Sequence, residues 1–230
     1  MLEPTPAEDL QLSAGSYDDI VRSSTLIGGS SLLSVGIGIL RNKALALLLG
    51  PAGLGLFAIY NSILVVAQTV AGIGISDSGV RQIAQAVGSQ DEDRIALTAA
   101  VLRRTALVLG IFGAALLFVL SRPVAHLTFG STEHAAAVAG LALAVLLLVI
   151  GDGQMALIHG LRQVGNLARL GVLRALLGAL ITVPLIWFLR DRGILPSIVA
   201  AAAVSVFLSW FYTRRNRFRA PALHAGQIWS

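Results

Sequence analysis

The chain has 230 residues, of which 56% are hydrophobic and only 13% are charged, and its mean hydropathy is +0.80. A soluble domain carries roughly 25% charged residues, so this composition leaves too few charges for a water-soluble surface and favours a membrane protein. The net charge of +5 would suit nucleic-acid binding, but the basic residues lie mainly in short runs between long apolar stretches, as in membrane proteins. The absence of cysteine excludes disulfides and thiolate metal sites.

The first residues of the chain are acidic and contain proline, without the basic and apolar regions of a cleavable signal peptide. They offer little apolar surface to bury. Residues 1–21 are therefore predicted to form a disordered cytoplasmic tail.

Six segments that follow are long and apolar enough to cross a bilayer core, which takes about 20 residues of helix. Their apolar runs are continuous and do not alternate with polar residues, so helices are predicted and not strands. We predict an all-α integral membrane protein with a six-helix transmembrane bundle over 22–213 and a basic cytoplasmic tail over 214–230. The predicted spans are Ser23–Leu49, Leu56–Ser78, Ile95–Leu120, Ala135–Ile158, Gly171–Leu189 and Ile194–Thr213.

The positive charges predict the orientation of these spans. If the N-terminus is inside, most arginines fall on the cytoplasmic side, Arg174 among them, and few basic residues fall outside. We therefore predict a multi-pass protein with both termini cytoplasmic.

The first span carries small residues at every fourth position, Ser30, Ser34 and Gly38, which favours a close helix-packing face. Arg41 and Lys43 follow before the Gly50 stop. Cations at membrane depth usually face a cavity or a partner. If the first span ends near Leu40, the two side chains instead extend to the membrane–water interface. The sequence leaves both interpretations open, a cavity and the interface.

The second span has Asn61 and Gln68 on one helical face, where they either hydrogen-bond to another helix or line a water-filled path. Asp77 and Arg81 follow with a spacing of one helical turn. An interfacial ion pair explains that spacing, and a role for Asp77 in proton or ion coupling is the alternative.

The fourth span ends with Asp152, His159 and Arg162 on one predicted face, with glycines on both sides of Asp152. An intramembrane carboxylate is a candidate functional group, and histidine titrates near physiological pH. This face would bind a phosphate, pass a proton through Asp152, or simply lock two helices together by neutralising charge.

Enzyme signatures do not occur in the sequence, and the histidines lack the spacing of metal ligands. We predict no catalytic residues, no metal, no cofactor and no nucleic-acid partner.

The stretch from Leu40 to Gln85 resembles the beginning of the O-antigen and related polysaccharide flippases, in the multidrug/oligosaccharidyl-lipid/polysaccharide exporter superfamily. The resemblance rests on Lys43, on the Leu49–Gly55 segment and on Gly72–Gly79 followed by Arg81. Further on, His159-Gly160-Leu161-Arg162 resembles the exit of the family's fourth helix, although a lysine is common there in place of His159.

The resemblance implies that the protein moves an undecaprenyl-pyrophosphate-linked oligosaccharide across the cytoplasmic membrane of a bacterium, for O-antigen or other polysaccharide synthesis. Membrane lipid would surround it, and alternation between two lobes would drive transport. The implied substrate-binding residues are the cations Arg41, Lys43, Arg81, His159 and Arg162 and the amides Asn61 and Gln68.

Such flippases have two six-helix lobes, and this chain resembles the first. It is therefore expected to be a truncated or half transporter that pairs with a second half or forms a homodimer. Two other functions remain open, a multidrug antiporter of the same superfamily and a non-transporting membrane assembly partner.

Overall fold

The computed structural model describes residues 6–72, 75–88, 92–160 and 164–215, and the side chains of most of these from Thr25 to Thr213. Within these ranges the chain is helical and contains no strand. The helices are α1 (Pro6–Ala71), α2 (Ile75–Gly88), α3 (Glu92–Val119), α4 (Ser121–Phe129), α5 (Ala135–Gly160), α6 (Val164–Leu189) and α7 (Ile194–Arg215), with a 3₁₀ turn at Arg190–Gly193.

Helix α1 consists of two helices that meet at Gly50. This residue has φ 68° and ψ −176°, a left-handed φ that favours glycine, and Pro51 begins the next helix. We call the two parts α1a (residues 6–49) and α1b (residues 51–71). The Nη1 atom of Arg190 donates a hydrogen bond of 3.2 Å to the Leu48 carbonyl oxygen, so this break lies beside the 3₁₀ turn.

The prediction of a six-span, all-α membrane protein is confirmed. Four helical stretches of the described chain are long and apolar enough to cross a membrane: 28–71, 95–119, 135–160 and 165–213. The first and the last have 44 and 49 residues, each enough for two crossings, and each is interrupted, by Gly50 and by Arg190–Gly193. Six span-length helices result, α1a, α1b, α3, α5, α6 and α7.

Contacts between the helices establish their relative directions. Helix α1a runs parallel to α6, because Ser34 lies beside Gly171 and Leu48 is bonded to Arg190. Helix α1b runs parallel to α5, since Tyr60 contacts His134 and, further along both helices, Gln68 contacts Asp152. Two ends of the bundle follow: a glycine-turn end, which contains Gly50, Gly130 and Gly193, and an opposite end, where α1b and α5 finish.

The structure differs from the sequence-based boundaries at three places. Helix α1 extends back to Pro6, so residues 6–21 are helical although a disordered tail was predicted there. The second span ends at Ala71 and not at Ser78, because the glycine-rich segment after it separates α1b from α2. Helix α4 replaces a predicted connector and ends on Gly130, which has a left-handed φ of 70°. The predicted basic tail from residue 216 on lies outside the described residues.

Helix α5 forms the centre of the bundle and is the helix with the most complete burial. Its residues Val138, Leu141, Val145 and Val149 are fully buried. Large apolar side chains face outward on the other spans, as shown by Leu47, which is 80% exposed, and Phe188, which is 81% exposed. A surface of this kind fits a lipid environment, in which outward-facing apolar side chains carry no penalty.

Candidate functional site

A cavity of about 170 Å³ with a mixed polar and apolar lining lies between α1a, α1b, α5, α6 and α7. Apolar residues such as Leu64 and Ile198 form part of its wall. Two guanidinium groups and several neutral polar groups share the same wall, and a volume of this size is large enough for several water molecules. The polar lining residues are Arg41, Asn61, Arg174, Thr182 and Ser205.

Arg41 enters the cavity from α1a. Its side chain is half-buried, and its Nε atom is buried without a hydrogen-bond partner among the described residues. A buried donor left without a partner costs about 1–3 kcal/mol, and more when it is charged. Of the two interpretations left open by the sequence, the structure places Arg41 at the cavity.

Arg174 enters the same cavity from α6. It is also half-buried, with its Nε atom buried and unpaired within the described part of the chain. Gly178, one turn further along α6, lines the cavity with it. The sequence-based orientation counted Arg174 only as a cytoplasmic charge. Its position within the predicted span Gly171–Leu189 was the signal that marks it as an intramembrane cation.

Asp152 lies on α5 and is hydrogen-bonded to α1b. Its Oδ2 atom accepts a hydrogen bond of 2.7 Å from Nε2 of Gln68 on α1b. The guanidinium of Arg174, on α6, lies against Gly151, the residue before Asp152. The Gln68–Asp152 pair follows the Tyr60–His134 pair along both helices, which fixes the parallel course of α1b and α5.

Gly151 brings the guanidinium of Arg174 close to α5. A Cβ atom at Gly151 would lie 3.1 Å from Nη2 of Arg174, tighter than most van der Waals contacts. The absence of a side chain at this position therefore lets the guanidinium pack against the α5 backbone next to Asp152.

The amides of the second span have separate roles. Asn61 lines the cavity, where its Nδ2 atom donates a hydrogen bond of 3.1 Å to the Phe57 carbonyl oxygen of its own helix. Gln68 instead serves as an interhelical donor to Asp152. Both interpretations of the polar face, a cavity wall and an interhelical bond, therefore apply, each to one residue.

Three further predicted cations that the structure describes are not among the residues that line the cavity. Lys43, Arg81 and His159 are exposed, and the described hydrogen bond of Asp152 is with Gln68 on α1b. Arg162 lies outside the described residues, as does the side chain of Asp77. Substrate contacts for these residues stay predictions.

The small-residue stripe of the first span packs in part against α6. Ser34 is half-buried, and a Cβ atom at Gly171 would lie 3.8 Å from its Oγ atom. The Ser34 hydroxyl donates a bond of 2.9 Å to the Ser30 carbonyl oxygen of its own helix. The contact of Ser34 with α6 fits the predicted packing face, whereas nothing lies within 4 Å of a Cβ atom at Gly38.

The fold and the cavity together define a class, an all-α multi-pass membrane protein with a cationic, polar interior. The chain belongs to the family described as "Polysaccharide biosynthesis protein", whose sequence model matches residues 20–225. The resemblance to polysaccharide flippases is thus confirmed at the level of the family.

Two curated relatives have the name "Lipid III flippase", one from Escherichia coli (strain K12) and one from Shigella flexneri. Each is 30% identical to the chain over 203 residues, which cover 77% of this chain and 48% of the relative. The chain therefore spans about half the length of the curated relatives it matches. No solved structure matches the chain significantly.

Proposed function

We propose that the chain forms one lobe of a translocator that moves a lipid-linked oligosaccharide across the bacterial inner membrane. The observation that carries this proposal is the pair Arg41 and Arg174, which line one cavity within the membrane-spanning bundle. Each has a buried Nε donor without a hydrogen-bond partner among the described residues. The name of the two relatives, lipid III flippase, supports a lipid-linked substrate for this chain as well.

The chemistry of the cavity favours a phosphate-bearing head group. Guanidinium groups remain charged in proteins and bind phosphate oxygens through two parallel hydrogen bonds. Asn61, Thr182 and Ser205 add neutral polar groups suited to hydroxyls of a sugar. The lipid tail would stay in the bilayer while the phosphate end of the head group contacts this cavity, which at about 170 Å³ does not enclose an oligosaccharide. An undecaprenyl-pyrophosphate carrier and an O-antigen glycan are the finer form of this proposal.

Other predicted residues complete the proposed path at its ends. The cations Lys43, Arg81, His159 and Arg162 would contact the head group as it enters or leaves, since Lys43, Arg81 and His159 are exposed. Asp77 would act in ion coupling. The proposal keeps both termini in the cytoplasm.

A second lobe is part of the proposal, because the chain spans about half the length of its curated relatives. Its partner would be another chain with similar spans or a second copy of this chain. The function is transport and not catalysis. Cross-linking in native membranes followed by mass determination identifies the partner, and a protein that stays monomeric there contradicts this part of the proposal.

The test of the cavity uses charge-neutralising variants, Arg41→Gln and Arg174→Gln, introduced at the gene's own locus in the producing bacterium. We expect lipid-linked oligosaccharide to accumulate in the cytoplasmic leaflet and surface glycan to fall at least tenfold, which corresponds to a loss of about 1.4 kcal/mol. Arg103→Gln is the matched control, because Arg103 is an exposed arginine on α3. Normal surface glycan in both cavity variants, at normal protein level, contradicts the proposed function.

A further inference from the structure

The cavity has a negative charge at its edge as well as the two guanidinium groups. We propose that Asp152 is the resident counter-ion of Arg174. An anionic ligand that binds Arg174 then competes with the Asp152 carboxylate for the charge of the guanidinium. The inference rests on the proposed function, in that the ligand class is a pyrophosphate-bearing lipid. It assigns to Asp152 a role in setting affinity rather than in contacting the substrate.

Two neighbours hold the carboxylate in this position. The amide of Gln68 donates to Oδ2 of Asp152 over 2.7 Å, and Gly151 lets the Arg174 guanidinium pack on the same turn of α5. An amide donor fixes an ionised carboxylate as an acceptor without cancelling its charge. The electrostatic partner of Asp152 is therefore Arg174 and not Gln68.

The other helices packed around this turn of α5 contribute apolar contacts. A Cβ atom at Gly153 would meet the Ala106 side chain of α3, and one at Gly151 would lie 3.7 Å from the Val206 side chain of α7. In these surroundings a charge interacts more strongly than it does in water. A carboxylate at this place on α5 therefore lowers the positive potential that an anionic ligand meets at Arg174.

Competition of this kind serves a transporter. With Asp152 ionised, part of the positive charge of Arg41 and Arg174 is already balanced when the cavity is empty. A phosphate group then gains less on entering and is released more easily. A weaker equilibrium affinity means that a larger fraction of the ligand is free at a given concentration.

The test measures binding of geranylgeranyl pyrophosphate to the purified 230-residue chain in lipid nanodiscs, with geranylgeraniol as the uncharged probe. We expect Asp152→Asn to tighten pyrophosphate binding by about tenfold, within the roughly 5–150-fold typical of coupled sites. Binding of the alcohol should stay unchanged. Asp191→Asn is the matched control, since it removes the same charge from an exposed position at the glycine-turn end.

A second pair of proteins shows whether Asp152 acts through Arg174. In an Arg174→Gln background, the additional Asp152→Asn change should have little effect on pyrophosphate affinity, because the interaction that it removes is already absent. Gly151→Ala should alter the affinity in wild-type protein, since it displaces the guanidinium, and should do so less in Arg174→Gln. Circular dichroism of each variant establishes that it is folded.

Three results overturn the inference: affinity that is unchanged or weaker in Asp152→Asn, equal tightening in the Arg174→Gln background, or equal tightening of the uncharged alcohol. The proposed function fails separately. If Asp152→Asn tightens pyrophosphate binding while the cellular flux of lipid-linked oligosaccharide does not depend on Arg41 or Arg174, the counter-ion stands and the transport proposal falls.

Discussion

The Tyr60 hydroxyl and Nδ1 of His134 are 2.9 Å apart and join α1b to the residue before α5. Phe129 completes the cluster, with its ring 5.8 Å from Tyr60 in an edge-to-face arrangement and 4.3 Å from the His134 ring. Tyr60 is only 4% exposed. This contact holds the middle of α1b, where Asn61 lines the cavity and Gln68, two turns further on, bonds to Asp152.

Removal of this hydrogen bond should weaken the packing of α1b against the start of α5. We expect Tyr60→Phe to lower the free energy of unfolding by about 1 kcal/mol, because the ring packing is kept and one buried bond is lost. Thermal unfolding in detergent, followed by circular dichroism, measures the change. Tyr212→Phe, near the opposite end, is the control, and a similar loss in both variants contradicts the role of the Tyr60–His134 bond.

The sharp turn between α1a and α1b requires glycine. Gly50→Ala should cost about 1–2 kcal/mol, since an L-residue at φ 68° places its Cβ atom against the backbone. Gly55→Ala tests the same change on α1b, where a new Cβ atom meets no atom within 4 Å. The midpoint of thermal unfolding separates the two, and equal midpoints mean that the turn tolerates a side chain.

Close packing of α3 against α5 depends on Gly153. A Cβ atom there would lie 2.6 Å from the Ala106 Cβ atom, so the two helices must separate in Gly153→Ala. We expect a loss of about 1–3 kcal/mol from this overpacking. Gly38→Ala is the control, because nothing lies within 4 Å of its Cβ position. Thermal stability unchanged in Gly153→Ala shows that α3 and α5 repack without cost.

The Gln68 amide should stabilise the ionised carboxylate of Asp152. Gln68→Leu leaves that carboxylate without its amide donor, which costs about 1–3 kcal/mol. Gln68→Glu should be worse at neutral pH, because two carboxylates then face each other. Gln82→Leu, at an exposed position of α2, is the control. Unfolding in denaturant ranks the variants, and Gln68→Leu at wild-type stability sinks this assignment.

The orientation of the chain can be measured directly, because the sequence contains no cysteine. Single cysteines at Thr132 and Gly88 lie towards opposite ends of the bundle, and both positions are exposed. If both termini are cytoplasmic, Thr132→Cys reacts in intact cells with a membrane-impermeant thiol reagent after outer-membrane permeabilisation. Gly88→Cys should react only after lysis. The reverse pattern means that the orientation derived from the positive charges is wrong.

Much of the fold was predictable because a membrane imposes simple constraints on a sequence. Continuous apolar runs predicted all six spans, and Gly50-Pro51 marked the turn between the first two. Helix α2 was not predicted, because its first residues, 75–78, were assigned to the end of the second span. Its burial of Ile83 against α5 depends on tertiary contact, which hydropathy does not report.

For the candidate site, the sequence could identify single polar residues but not which of them lie together. Arg41 and Asn61 were identified from polar positions within apolar helices, and the structure places both at the cavity. Arg174 was missed because the charge rule counts cations near helix ends and assigns them to a side of the membrane. Partners from distant parts of the chain, such as Gln68 and Asp152, cannot be matched by spacing within one helix.

The charged groups lie on two pairs of parallel helices, so a sliding motion between the pairs moves these groups relative to one another. Arg41 and Arg174 belong to the parallel pair α1a and α6, whereas Gln68 and Asp152 belong to the parallel pair α1b and α5. Sliding of one pair along the other by a single residue, about 1.5 Å, keeps every helical hydrogen bond. It nonetheless displaces the carboxylate relative to the guanidinium by the same distance, about 1.5 Å, along the helix axes. A small shear between the α1a–α6 pair and the α1b–α5 pair would thus change the electrostatic potential at Arg174.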